Sequence, residues 1–166
     1  IGDALSCIEE AEILRSRVQG ELEAVRKAAE GLPKPTVLII TSRQTHDLDS
    51  LYTAGGSSFL SGLVELAGGT NIYKDTSQAY LEASKETIVV RGPEVIIEFH
   101  AGERLSQEEK ARYVADWDQL SSIPAVKARR VHIVTEAYSL RPGPRVAQTA
   151  RIIAKVLHPD MEVLEP

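Results

Sequence analysis

Cysteine is almost missing from this chain. Cys7 is the only one, so no internal disulfide can form and a thiolate metal cluster is excluded. Long apolar runs are missing too: none approaches the roughly 20 residues that cross a bilayer. There is no basic stripe, and a net charge of -5 with a pI near 5.4 argues against nucleic-acid and anionic-membrane surfaces, which need clustered cations. The first residues, Ile1 to Ala4, have neither an initiator Met nor a basic leader region, so the chain reads as an excised piece in which a targeting signal would not be visible. Ala4 to Cys7 has the residue types of a lipoprotein cleavage box, but no apolar segment precedes it, and Cys7 reads instead as a partly buried helix cysteine.

What is present suits one globular unit. Of 166 residues, 43% are hydrophobic and 26% charged, enough to build one core and too few for two large ones. Apolar residues at Leu5, Ile8, Ala11, Leu14, Val18, Leu22, Val25, Ala29 and Leu32 recur every three or four positions, predicting one amphipathic helix ended by Gly31-Leu32-Pro33. At 1.5 Å per residue such a helix is a rod of roughly 40 Å, longer than a small domain needs, and part of it is expected to rest on something outside this chain. Continuous apolar runs at Thr36 to Ile40, Val95 to Phe99 and Val131 to Val134 predict strands buried on both faces. Helical stretches are expected at Ser57 to Leu66, Ser84 to Val90, Ser106 to Leu120 and Pro144 to Leu157. The alternation implies an α/β three-layer sandwich with a mostly parallel sheet, residues 33–166, preceded by a long helix, residues 1–32.

Ligands of such folds bind at the carboxyl ends of the strands. The expected edge gathers Ser42 to Tyr52, His100 to Arg104 and Thr135 to Arg145. Ser57 or Ser58 reads as a helix cap rather than part of a phosphate cradle, because the Gly-Lys-Ser/Thr ending of a P-loop is missing. Gly68-Gly69 suits a helix C-terminus. Arg141 and Arg145 are delivered to the start of the last helix, where positive charge opposes the helix dipole, and an anionic ligand group would account for them. Tyr52, Tyr80 and Tyr138 fall in expected loops, where each either covers a ligand face or packs on its own loop. His46 and His100 each follow a strand end, but no histidine pair has zinc-ligand spacing.

Four segments in order carry a resemblance: Leu51-Tyr52-Thr53-Ala54-Gly55-Gly56-Ser57-Ser58-Phe59, Leu66-Ala67-Gly68-Gly69-Thr70-Asn71-Ile72-Tyr73, Ala83-Ser84-Lys85-Glu86 leading to Gly92-Pro93-Glu94-Val95-Ile96-Ile97, and Leu140-Arg141-Pro142-Gly143-Pro144-Arg145. Together the chain resembles the C-terminal lobe of the class III, BtuF-like (TroA-like) solute-binding proteins of ABC importers. The resemblance implies two lobes joined by a long interlobe helix, with an N-terminal lobe that this chain lacks, and a ligand cleft between them. It implies no enzymatic activity and no intrinsic cofactor. The ligand would be a bulky metal chelate: a ferric siderophore, haem or cobalamin. Tyr52 and Tyr80 match aromatic cleft positions, Arg141 matches a ligand contact, and Glu86 matches a glutamate that docks on the permease. The B12 binders carry Trp at the place of Tyr80 and can carry an acid at that of Ala137. A periplasmic or cell-surface anchored parent protein, and some self-association of the isolated lobe through uncovered apolar surface, are further expectations. Two other readings compete: a metal-dependent α/β enzyme using His46 and His100, and a flavodoxin-like interaction domain.

Overall fold

The alternation of β1 (Thr36–Arg43) divides the protein into layers. Val37 and Ile39 point to one side and Leu38 and Ile40 to the other, all four fully buried, so the strand is covered on both faces. The computed structural model describes residues 6–161. The remaining elements are α1 (Ile8–Ala28), β2 (Leu51–Ala54), α2 (Phe59–Leu66), β3 (Thr70–Asn71), β4 (Tyr80–Ala83), α3 (Lys85–Arg91), β5 (Val95–Phe99), α4 (Gln107–Asp116), α5 (Pro124–Lys127), β6 (Val131–Val134) and α6 (Val146–Leu157).

The strands form one sheet in the order β4-β2-β1-β5-β6, with β3 beside the start of β1. β1 runs parallel to β3 and β5, and β5 parallel to β6. β2 returns antiparallel to β1, and β4 antiparallel to β2. One face carries a core of Val37, Ile39, Ala54, Ile97 and Phe99 with Leu60 and Val64 of α2, Ile153 and Leu157 of α6 and Val25 of α1. The opposite face buries Leu38, Ile40, Leu51 and Ile96 against Ile88 of α3, Trp117 and Ile123. The three-layer α/β sandwich with a mostly parallel sheet is therefore present.

Several boundaries differ from expectation. β2 and β4 were not expected: each is four residues long and lies against turn residues, and its pairing rather than an apolar run makes it a strand. Tyr52 and Tyr80 consequently stand on strands, not loops. β1 extends to Arg43 because it pairs with β2 through a bulge between Ile40 and Ser42. The stretch from Ser106 breaks at Asp116 into a 3-10 turn, Trp117–Leu120, and α6 starts at Val146 rather than at Pro144.

Helix α1 is 21 residues long, shorter than expected, and its last turn gives way to tighter bonding before Gly31, which takes φ +80°. Leu5, the first member of the expected stripe, lies outside the described residues. Cys7 stands just before the helix and is half-buried. Only the carboxyl-terminal part of α1 enters the core, through Leu22, Val25 and Ala29, with Glu21 paired to Arg151 of α6 at 3.3 Å. Toward its other end Ile8 and Ile13 are 57% and 63% exposed.

Candidate functional site on the carboxyl edge of the sheet

Glu98 is the one charged residue inside the apolar run of β5, and it is 1% exposed. A carboxylate there must be paired, because transfer of a lone charge from water costs far more than a strand can supply. Arg43, at the end of neighbouring β1, donates Nε to Glu98, and Trp117 donates Nε1 at 3.0 Å. The Arg43 Nη2 bonds the Tyr113 carbonyl at 3.1 Å and pairs with Asp116 at 2.8 Å. Its Nη1 reaches the carbonyls of Gln44 and Asp47 at 3.5 and 3.4 Å, so the guanidinium holds the loop after β1, α4 and β5 together. Burial pushes the Glu98 carboxyl up, but His100, Arg43 and Trp117 together outweigh it and hold it below its ordinary value.

His100 continues the cluster, with Nε2 3.1 Å from Glu98 and Nδ1 3.2 Å from Glu103. The Tyr113 ring packs against it at 4.3 Å and carries the Arg43 guanidinium 4.7 Å from its centroid. His46, in a left-handed backbone conformation at φ +59°, lies 5.8 Å from the same ring and bonds Asp116 through Nδ1 at 3.1 Å. The two imidazoles thus approach one tyrosine rather than a common metal position, and each is engaged by carboxylates. No group of three His, Cys, Asp or Glu among the described residues is placed to hold a metal ion. His46 and His100 are thus brought to the same edge, on either side of Tyr113, with each ring engaged by a carboxylate.

The tyrosines and arginines form two groups. Tyr52 of β2 lies opposite Glu82 of β4, and Ala54 opposite Tyr80, which puts both tyrosines on one face of this pair in a diagonal relation. They are 49% and 47% exposed. In the second group Arg145 lies over the Tyr138 ring at 4.8 Å, and the Arg141 backbone N–H bonds the Tyr138 carbonyl at 3.0 Å. Burial, reinforced by Glu136, pushes the Tyr138 phenol up. Arg145 thus has a local partner that the sequence did not disclose, whereas the exposed Arg141 side chain is directed by a turn closed on Tyr138.

Glu86 comes to the same edge through strand register. Leu51 pairs with Arg43 and Ala83 with Leu51, so β4 ends level with the carboxyl end of β1 and α3 starts there. Ser84 caps α3 by accepting from the Thr87 N–H at 3.3 Å. The backbone N–H of Glu86 and the Ser84 hydroxyl hold the exposed Glu86 carboxyl below its ordinary value. Neighbouring Lys85 is tied to Asp49 at 2.5 Å.

The glycine motifs serve this edge from behind. Ser58 caps α2 by accepting from the Ser61 N–H, and Gly68 and Gly69 close α2 with backbone bonds to Glu65 and Val64, as expected of a cap and a C-terminus. Gly55 donates to the Ala79 carbonyl at 2.8 Å, Ser57 Oγ to the Ser77 carbonyl at 2.9 Å, and Asn71 Nδ2 to the Ala54 carbonyl at 2.9 Å. Two of the sequence motifs are therefore halves of one clamp around residues 71–79, the segment that delivers Tyr80.

Comparison with known proteins places this arrangement. Residues 1–138 match the model of a family described as periplasmic binding protein. The chain is 30% identical over 118 residues to a cobalamin-binding protein of Halobacterium salinarum, covering 70% of this chain and 32% of the relative. It is 25% identical over 160 residues to an uncharacterized ABC transporter substrate-binding lipoprotein of Bacillus subtilis, covering 96% and 48%. The fold matches that of a protein from Staphylococcus epidermidis described as a possible iron-binding, periplasmic solute-binding protein, with a TM-score of 0.80, 22% identity, and coverage of 95% of this chain and 58% of the other. The chain spans less than half the length of both curated relatives. By the extent of the family match, and with the sheet, the flanking helices and the loop-built edge in place, the chain belongs to the periplasmic binding protein family.

Proposed function

We propose that this chain forms one wall of a ligand cleft that delivers a bulky metal chelate to an ABC importer. The observation that carries the reading is the pair of half-exposed tyrosines on one face of the β2–β4 strands, flanking an edge that also presents Tyr138 and Arg141. Flat aromatic surface with polar tips covers a large planar ligand at low conformational cost, and guanidinium groups answer carboxylates or catecholates. The cobalamin-binding relative and the likeness to a protein described as a possible iron binder support this ligand class. Cobalamin, haem and ferric siderophores all meet the chemistry, and the protein contributes binding rather than bond making. The start of α1, where Ile8 and Ile13 are exposed, is where a second lobe would rest, and its apolar surface favours self-association. A periplasmic or surface-anchored location follows from the same reading.

Spectral titration of the chain joined to its amino-terminal partner lobe, with cobalamin, haemin and ferric catecholates, tests the ligand. Saturable 1:1 binding of one of them is expected, and Tyr52→Ala with Tyr80→Ala should weaken it about 10- to 100-fold, as loss of two buried aromatic anchors does elsewhere. Binding of none of the three would remove the proposal.

The permease is the second partner. Glu86 stands exposed on the first turn of α3, and Val90, one turn further on the same side, is 85% exposed, an apolar contact beside an acidic one. Glu86→Ala should leave chelate affinity unchanged while reducing stimulation of the importer's ATPase in proteoliposomes by about 10-fold or more, the loss typical of an interfacial ion pair. Unchanged stimulation would place docking elsewhere.

A further inference from the structure

Both ring nitrogens of His100 face carboxylates, Glu98 at 3.1 Å and Glu103 at 3.2 Å. An ionised carboxylate only accepts, whereas a neutral imidazole carries a single N–H. The arrangement is satisfied only when the ring holds two protons. Charged and titratable groups reach the cluster from several elements. From β5 comes Glu98, from the following turn Glu103, and from β1 Arg43. From α4 come Tyr113 and Asp116, beyond which lies His46, while Lys110 on the same helix bonds Thr135 at 3.4 Å. Three carboxylates thus surround the cluster against the single guanidinium of Arg43, and a second cation at His100 is electrostatically favoured.

The segment that His100 grips is part of the ligand-facing edge. Glu103, His100 and Leu140, the residue before Arg141, line one small cavity of about 180 Å³ together with Thr41, Arg43 and Glu98. The turn also has backbone ties, Gly102 N–H to Thr135 at 3.0 Å and Glu103 N–H to His100 at 3.0 Å, so the side-chain grip sets its outer part rather than its existence.

We propose that His100 is a proton-dependent latch: as an imidazolium it ties the turn 101–104, through Glu103, to Glu98 in the sheet, and it releases that turn when it loses the proton. Burial draws the ring's pKa down, but Glu98 and then Glu103 outweigh it and raise it above the ordinary 6.5. The grip is therefore fully present below pH 6.5 and is lost as pH rises through the raised value. The edge would be tighter in acidic surroundings and looser in alkaline ones, whatever chelate it serves.

A proton–carbon NMR titration of the four histidines in the whole chain, from pH 5 to 9, reads this directly. His100 should titrate above 6.5 and above His132, whose pKa burial lowers, and Glu103→Gln should lower the His100 midpoint. Hydrogen exchange, corrected for intrinsic rates, should show protection of residues 101–104 falling by up to about tenfold per pH unit between 6.5 and that midpoint. His100→Gln can satisfy one carboxylate only and should abolish this dependence; if it does not fold, Glu103→Gln provides the same test. A midpoint at or below 6.5, no response to Glu103→Gln, or unchanged pH-dependent exchange in the variants would overturn the latch.

Discussion

Glu98→Ala is expected to destabilise the protein by about 3–5 kcal/mol, the range for removing one partner of a buried ion pair. The Arg43 side chain is fully buried, and without Glu98 its Nε and the Trp117 N–H lose their acceptor in a site from which water is largely excluded. Glu98→Met with Arg43→Met should lose less than the single change, since two well-packed apolar chains leave no uncompensated charge. Urea unfolding followed by far-UV dichroism measures both. A single variant within about 1 kcal/mol of the parent would show the cluster to be dispensable. The pH dependence has two opposite limbs. The contribution of Glu98, whose pKa is lowered, is present above its ordinary 4.5 and is lost as pH falls through the lowered value. That of His100 is present below 6.5 and is lost as pH rises through its raised value. The cluster is at full strength between about pH 4.5 and 6.5, where both contributions are complete.

Gly56→Ala should also act strongly, and through backbone. A β-carbon there would stand 2.6 Å from the Thr76 carbonyl oxygen and 2.9 Å from the Lys74 carbonyl carbon, neither of which can rotate away. Overpacking of this kind costs about 1–3 kcal/mol. Amide chemical shifts should move through residues 72–82, Tyr80 included, which that segment carries. Gly62→Ala has the opposite expected sign. Gly62 lies within α2, and a β-carbon added there would meet no atom within 4 Å beyond its own helix backbone, so alanine should stabilise the protein by up to about 1 kcal/mol. Equal effects of the two substitutions on thermal unfolding would contradict the clamp.

The central strands β1 and β5 were legible because burial on both faces leaves a nearly continuous apolar run, whereas β6, expected to be buried on both faces too, is the edge strand and is only partly buried at His132 and Ile133. β2 and β4 were not legible, since a four-residue edge pair has no length to declare itself and depends on partners distant in sequence. Caps at Ser58 and Ser84 were legible because they are local chemistry. The Arg43–Glu98 pair escaped although it left a signal: a carboxylate in the middle of Val95 to Phe99 has no place in a strand buried on both faces without a cation nearby. Arg145 left a signal without its partner. Its charge opposes the helix dipole in sequence, but Tyr138, seven residues earlier, takes it up in space. The position of Glu86 could be read as a first-turn acid, whereas its arrival at the carboxyl edge of the sheet depends on the register of β4, which no local pattern encodes.

Helix α1 is buried toward one end, at Val25 and Ala29, and exposed toward the other, at Ile8 and Ile13, which makes it a lever with its fulcrum at the buried end. A straight helix of this length is about 30 Å long, so a rocking of 5° at the fulcrum moves its free end on the order of 2–3 Å. Motion at the tip is thus large compared with the repacking that produces it. Substitutions at Leu22, Val25 or Ala29 would change the angle at which anything mounted on the helix faces the carboxyl edge of the sheet.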